Sequence, residues 1–165
     1  MFKRIISLLF SLSFINAQIA LPTFQAVHIP HNITSSSTVG PVIAGRYAQT
    51  GAILANGTVK FWGYNNYGQL GQGNTTRIGA GSGEMGDNLP AIDLGTGRTA
   101  TAIASGRYMA MALLDNGTVK AWGYNAHGQL GQGNTQKIGD GSGEMGDNLP
   151  AIDLGTGRTA TAIAS

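Results

Sequence analysis

Apolar and polar positions alternate over short stretches through most of this chain. Outside the N-terminus no run of ten or more residues repeats its apolar positions every 3.6 residues. The pattern predicts short strands and almost no helix. Tyr108–Leu114 is an apolar run that ends at Asp115-Asn116-Gly117 and resumes as Thr118–Tyr124. Asn-Gly between two apolar runs signals a hairpin, because both residues tolerate positive φ. Asn56-Gly57 sits in the same setting. Pro90–Leu94, Pro150–Leu154, Thr99–Ser105 and Thr159–Ser165 also read as short strands. Gly79–Asn88 and Gly139–Asn148 read as glycine-rich loops too polar for a core.

The pattern occurs twice. Residues 56–105 return as 116–165 with six differences in 50 positions, at 61/121, 66/126, 67/127, 76/136, 77/137 and 80/140. A fixed period of this size marks a repeat architecture. Several short strands per 60-residue unit match one blade of a β-propeller. A β-helix fits less well, since its coils are shorter and hairpins do not suit parallel stacking. The fold class expected is all-β, with repeat units at 42–105 and 106–165, the second running into the first strand of a further unit. The units differ at one place: Tyr47 to Asn56 spans nine positions and Tyr108 to Asn116 eight, which predicts a residue inserted or lost in that strand.

The N-terminus follows different rules. Lys3 and Arg4 precede the apolar stretch Ile5–Phe14, and Ile15-Asn16-Ala17 offers a small residue for cleavage, so 1–17 reads as a secretory signal peptide. The apolar stretch is about half of the ~20 residues a membrane span needs. Residues 18–41 are polar, punctuated by proline, and read as an arm or linker. The chain has ten Lys+Arg and eight Asp+Glu, and losing Lys3 and Arg4 leaves eight of each. A neutral chain lacks the basic footprint of nucleic-acid binding. The absence of cysteine excludes thiolate metal sites, disulfides and cysteine catalysis. The 26 glycines, with only 11 % charged residues and ordinary apolar content, point to turn-rich β-structure rather than disorder.

The runs Ile103-Ala104-Ser105-Gly106-Arg107-Tyr108, Leu113-Leu114-Asp115-Asn116-Gly117-Thr118-Val119-Lys120-Ala121-Trp122-Gly123 and Gly128-Gln129-Leu130-Gly131 occur in this order. Together they resemble the regulator-of-chromosome-condensation (RCC1) repeat, and the resemblance covers 42–165. It implies a β-propeller, commonly of seven blades, of which this chain carries about two. Seven units of this period need about 420 residues, so the chain is expected to be the N-terminal fragment of a longer protein. The resemblance also implies a histidine where Met109 stands. In secreted bacterial-type members it implies cysteines where Met111 and Ala121 (Phe61 in the earlier unit) stand. The apolar residues found there suit packing in place of a disulfide.

Trp62 and Trp122, each beside glycine, are expected to pack between blades. The carboxylates of Glu84–Asn88 and Asp140–Asn148 could attract calcium, but their spacing is not that of an EF-hand loop, and side chains bonding local backbone are the better reading. His28-x-x-His31 lacks a third ligand. No catalytic constellation, phosphate loop, metal site or cofactor site is recognisable. The candidate contact surface is Tyr64, Asn66, Tyr67, Arg77, Tyr124, His127 and Lys137, set in loops where the repeats differ or beside them. Drift on an exposed surface is the simpler account of the differences. Asn32, Asn56, Asn74 and Asn116 begin Asn-x-Thr triplets. The expectation is a non-catalytic module, secreted, periplasmic or at the cell surface, that binds another protein, with no cofactor, no nucleic acid and no membrane span after signal removal. Alternatives are guanine-nucleotide exchange on a small GTPase, an adhesin-like envelope repeat, or a protein inhibitor.

Overall fold

A computed structural model describes residues 43–46 and 48–165. The signal segment 1–17, the arm 18–41 with His28 and His31, the Asn32 triplet and Tyr47 lie outside the described residues.

The described chain is all-β, as the alternation predicts. Two three-stranded antiparallel sheets form in order along the chain. The first holds β1 (Ile43–Arg46), β2 (Gln49–Ile53) and β3 (Val59–Gly63). The second holds β4 (Ala100–Ser105), β5 (Met109–Leu114) and β6 (Val119–Gly123). The only helical turns among the described residues are 3-10 turns at Gly86–Asn88 and Gly146–Asn148. Because β4 pairs with β5, the second sheet begins with the strand that closes the first sequence unit.

Four local expectations need correction. Both Asn-Gly hairpins use positive φ only at the glycine, +78° at Gly57 and at Gly117. Gly57 N–H bonds the Leu54 carbonyl and Leu54 N–H the Thr58 carbonyl, each at 2.8 Å. The loop is therefore a three-residue turn with a left-handed glycine at its end, and the asparagine supplies side-chain bonding instead. Second, β2 carries no inserted residue. Its register on β3 (Gln49↔Gly63 to Ile53↔Val59) repeats at a constant offset in β5 on β6 (Met109↔Gly123 to Leu113↔Val119). Ladder pairing fixes the register, so Ala48 simply takes the place of Tyr108 in the turn, at φ +61°. Third, Pro90–Leu94 and Pro150–Leu154 form no strand. Each makes one backbone bond to the sheet edge, Ile92 N–H to Val59 and Ile152 N–H to Val119, both 2.8 Å. With a bridge between Gly63 and Ile78, this covers both ends of the otherwise open edge of β3. Fourth, Thr159–Ser165 forms no ladder although its sequence equals that of Thr99–Ser105. β4 exists because β5 pairs with it, and no described strand pairs with 159–165.

One core spans both sheets: Ile53, Val59, Phe61, Leu70 and Ile92 from the first unit join Ile103, Ala110, Leu114, Trp122 and Leu149. Trp122 is fully buried. Its ring meets Phe61 edge-on, 6.0 Å between centroids at 88°, and its indole N–H donates to the Gln69 carbonyl at 3.0 Å. The packing expected of Trp122 is thus met. Trp62 holds the equivalent position and is half-buried.

Backbone-directed side chains complete the seam between units. Lys120, buried on β6, donates to the carbonyls of Leu94 (3.0 Å) and Gly146 (2.7 Å). Burial pushes its ammonium pKa down, against the attraction of Asp147 and Asp93. Gln49, where the second unit has Met109, donates to the Met109 carbonyl at 3.0 Å. Asp147 accepts from the Thr96 hydroxyl (2.5 Å) and the Thr96 N–H (2.8 Å). These bonds, the hydroxyl first, hold the Asp147 carboxyl below its ordinary range. A depressed carboxylate stabilises the fold above its unfolded pKa, and that contribution disappears as pH falls through the folded pKa. Asp147→Asn should therefore flatten the fall in stability below about pH 4. Thermal unfolding midpoints across that range test it, and parallel curves for the two proteins would show that Asp147 contributes nothing.

Candidate functional site: a tyrosine-lined rim

The rim is built where β3 and β6 end. Gly63 and Gly123 have φ of +106° and +104°. A side chain at Gly63 would lie 2.2 Å from the Ala48 carbonyl, so only glycine lets the chain turn there. Tyr64 N–H then bonds that carbonyl at 2.7 Å, and Tyr124 N–H the Tyr108 carbonyl at 2.8 Å. The following loop is pinned from inside by a fully buried asparagine. Asn65 donates to the carbonyls of Asn74 (2.9 Å) and Thr76 (3.0 Å) and accepts from Leu70 N–H (2.9 Å). Asn125 repeats the set on Asn134, Gln136 and Leu130. Gln69 and Gln129 accept from Tyr67 N–H and His127 N–H, both 2.9 Å. The Asn and Gln of Asn-x-x-Gly-Gln-Leu-Gly are thus loop supports that set residues 67 and 127.

Held this way, aromatic rings form a continuous row across both units. Tyr67 lies at its centre, 4.9 Å between centroids from Tyr108 and from Tyr124 and 6.5 Å from Tyr64. Tyr64 and Tyr108 stand 5.9 Å apart, and Tyr108 and Tyr124 6.3 Å. His127 extends the row beyond Tyr124 at 6.1 Å. Arg107 lies over the Tyr108 ring at 5.2 Å. The tyrosines are half-buried and His127 is exposed. Two depressions flank the row. One, of about 590 Å³, is lined by Tyr67, Arg107, Tyr108, Tyr124, His127 and Gln129 among others. The other, of about 260 Å³, is lined by Asn66, Tyr67, Tyr124, Gln136 and Lys137 among others.

The structure therefore gathers six of the seven candidate residues: Tyr64, Asn66, Tyr67, Tyr124, His127 and Lys137. Arg77 is exposed and lines neither depression. Lys137 pairs with Asp140 at 2.5 Å, and the hydrogen bond to Asp140 raises its pKa. The pair Arg77/Ala80 in one unit and Lys137/Asp140 in the other makes two of the six differences a coupled change. Tyr108, Arg107 and Gln129 also belong to the rim, beyond the seven candidates the sequence offers. For Tyr108 the sequence carries a signal: an aromatic two residues after Gly106, in the turn between two strand-like runs.

The glycine-rich loops are closed by their own carboxylates. Glu84 accepts from Gly79 and Gly81 N–H, both 2.7 Å, and Glu144 from Gly139 and Gly141 at 2.7 and 2.8 Å. The Gly81 bond, then that from Gly79, lowers the Glu84 pKa. Among the described residues no three acidic or histidine side chains gather as a metal site, and no helix is long and apolar enough to cross a membrane.

The Regulator of chromosome condensation (RCC1) repeat family matches residues 56–113 and again 100–129. The chain carries repeats of this family. Among curated relatives, Protein RCC2 homolog of Danio rerio is 39% identical over 102 residues, 61% of this chain and 19% of its own length. The human E3 ubiquitin-protein ligase HERC2 is 31% identical over 113 residues, 67% of this chain and 2% of its own. The chain thus spans under a fifth of either. Among solved structures, Prp20p from Saccharomyces cerevisiae aligns at a TM-score of 0.48 and 17% identity, over 68% of this chain and 25% of that one. Human WBSCR16 aligns at 0.46 and 18%, over 68% and 26%.

Proposed function

We propose that this chain is part of a secreted, periplasmic or surface-associated propeller that binds another protein through the tyrosine-lined rim, without catalysis. One observation carries the reading. Four tyrosines and a histidine from two consecutive units stand in a row on one end of the sheets, supported by buried Asn65 and Asn125. Tyrosines held by a rigid scaffold supply large contact area at low entropic cost, which is why they dominate binding hot spots. The relatives permit a protein-binding role: Prp20p was described together with its binding properties to Gsp1p and histones. The segment 1–17, with its charged start and short apolar stretch, supports export.

The complete protein, immobilised and exposed to extracellular fractions of its source, tests the reading. Tyr67→Ala should weaken capture of the partner at least tenfold, as loss of a hot-spot aromatic does at about 2 kcal/mol. Arg77→Ala should leave capture unchanged. Equal capture by a folded Tyr67→Ala protein would place the partner elsewhere. Accelerated release of labelled GDP from a small GTPase would replace this reading by nucleotide exchange.

A further inference from the structure

Three Asn-x-Thr triplets fall among the described residues, and their asparagines are all exposed. Their surroundings differ. At the hairpin tips, Asn56 Oδ1 accepts from Thr58 N–H and Asn116 Oδ1 from Thr118 N–H, both 3.1 Å. The Thr118 hydroxyl adds a bond to Asn116 Oδ1 at 2.7 Å. These bonds occupy only the amide oxygen. Among the described residues neither Nδ2 donates a hydrogen bond, and both asparagines are exposed. Asn74 is different. Its Oδ1 accepts from Thr76 N–H at 2.8 Å, its Nδ2 donates to the Gln72 carbonyl at 3.1 Å, and its own carbonyl holds Asn65 at 2.9 Å. A group attached to Asn74 Nδ2 would disturb the loop that Asn65 pins. A group attached to Nδ2 of Asn56 or Asn116 would break no hydrogen bond that this atom makes among the described residues.

The repeats point the same way. The hairpin triplet is present in both units, whereas the position of Thr76 is Gln136 in the second, which ends the triplet there. Topology adds a third argument. Asn56 follows Ile53 at one end of β2, and Tyr64 follows Gly63, paired with Gln49, at the other. A five-residue strand separates the two ends by roughly 14 Å. Bulk added at the hairpin tips therefore leaves the tyrosine rim open.

From these observations we infer that Asn56 and Asn116 are N-glycan acceptors and that Asn74 is not. The inference rests on the secretory reading given above. The donor is a lipid-diphosphate-linked oligosaccharide. Asparagine Nδ2 forms a bond to the anomeric carbon, the bond from that carbon to the phosphate oxygen breaks, the lipid diphosphate leaves with the electron pair, and Nδ2 gives up one proton.

The test is expression of the full chain with its own leader in a glycosylating eukaryotic host. An Asn32→Gln background removes the undescribed triplet. Intact mass before and after enzymatic deglycosylation should show two glycans on a chain beginning at Gln18. Asn56→Gln and Asn116→Gln should each remove one, and so should Thr58→Ala and Thr118→Ala, which keep the asparagine. Asn74→Gln should remove none. A secreted chain begun at Gln18 with both hairpin sites bare overturns the inference and leaves the secretory reading standing. A chain retained with Met1–Ala17 attached overturns the secretory reading. The same chain behind a foreign leader then decides the acceptor question by the same masses. Occupancy of Asn74 equal to that of Asn56 overturns the selectivity.

Discussion

Trp122→Ala should cost about 3–5 kcal/mol of stability, the range for emptying a large aromatic site in a core. The side chain is fully buried, meets Phe61 edge-on at 6.0 Å and donates to Gln69. Alanine removes the apolar contact between the units and leaves the Gln69 carbonyl without its donor. Trp62→Ala is the internal comparison. It changes the same motif position, but Trp62 is only half-buried, so its loss should be clearly smaller in this chain. Denaturant midpoints of both variants measure the difference. Equal losses would show that the motif tryptophan acts within its own blade and not across the seam.

The second large effect concerns a pair across β2 and β3. Gly51 stands opposite Phe61, and in the other sheet Met111 stands opposite Ala121. A Cβ on Gly51 would lie 2.3 Å from the Phe61 ring. Phe61 has no room to retreat, since it is fully buried against Trp122. Gly51→Met should therefore destabilise by about 1–3 kcal/mol or more through overpacking. Phe61→Ala alone should cost about 3–5 kcal/mol through the cavity. The double variant reproduces the Met–Ala pair of the second sheet and should cost less than the two losses combined, by about 1–3 kcal/mol. Simple additivity of the two losses would show that the two positions do not exchange volume.

This pair also shows where reading the sequence stopped short. Phe61/Ala121 was visible as one of six differences, and the family resemblance already set Met111 against Ala121, but Gly51 lies outside the aligned stretch and becomes the neighbour of Phe61 only through strand register. The same holds for Lys137 and Asp140, whose pairing needs the turn between them. The rim is a clearer case of partial legibility. Tyr64, Tyr67, Tyr124 and His127 could be chosen from their loops, yet Tyr108 was not among them, because it lies 41 positions after Tyr67 and meets it only when consecutive sheets stack. Arg77 differs between the units, yet it lines neither rim depression. Asn65, Asn125 and Lys120 give no signal in the sequence, because identical residues in near-identical repeats carry no contrast. Their role as buried supports appears only with burial and hydrogen bonding.

Some features followed from the sequence itself because they depend on short-range chemistry. The alternation dictated strands, Gly57 and Gly117 dictated the hairpin tips, and the constant offset dictated two copies of one unit. Tertiary structure alone decided the pairings beyond the hairpins. Thr99–Ser105 and Thr159–Ser165 are the same seven residues, yet one becomes β4 and the other forms no ladder. A strand's backbone bonds are made by its neighbour, and local sequence cannot say whether that neighbour is there. The tyrosine row has the same origin, since its closest contacts join residues of different units and exist only once Trp122 has seated the second sheet against Phe61.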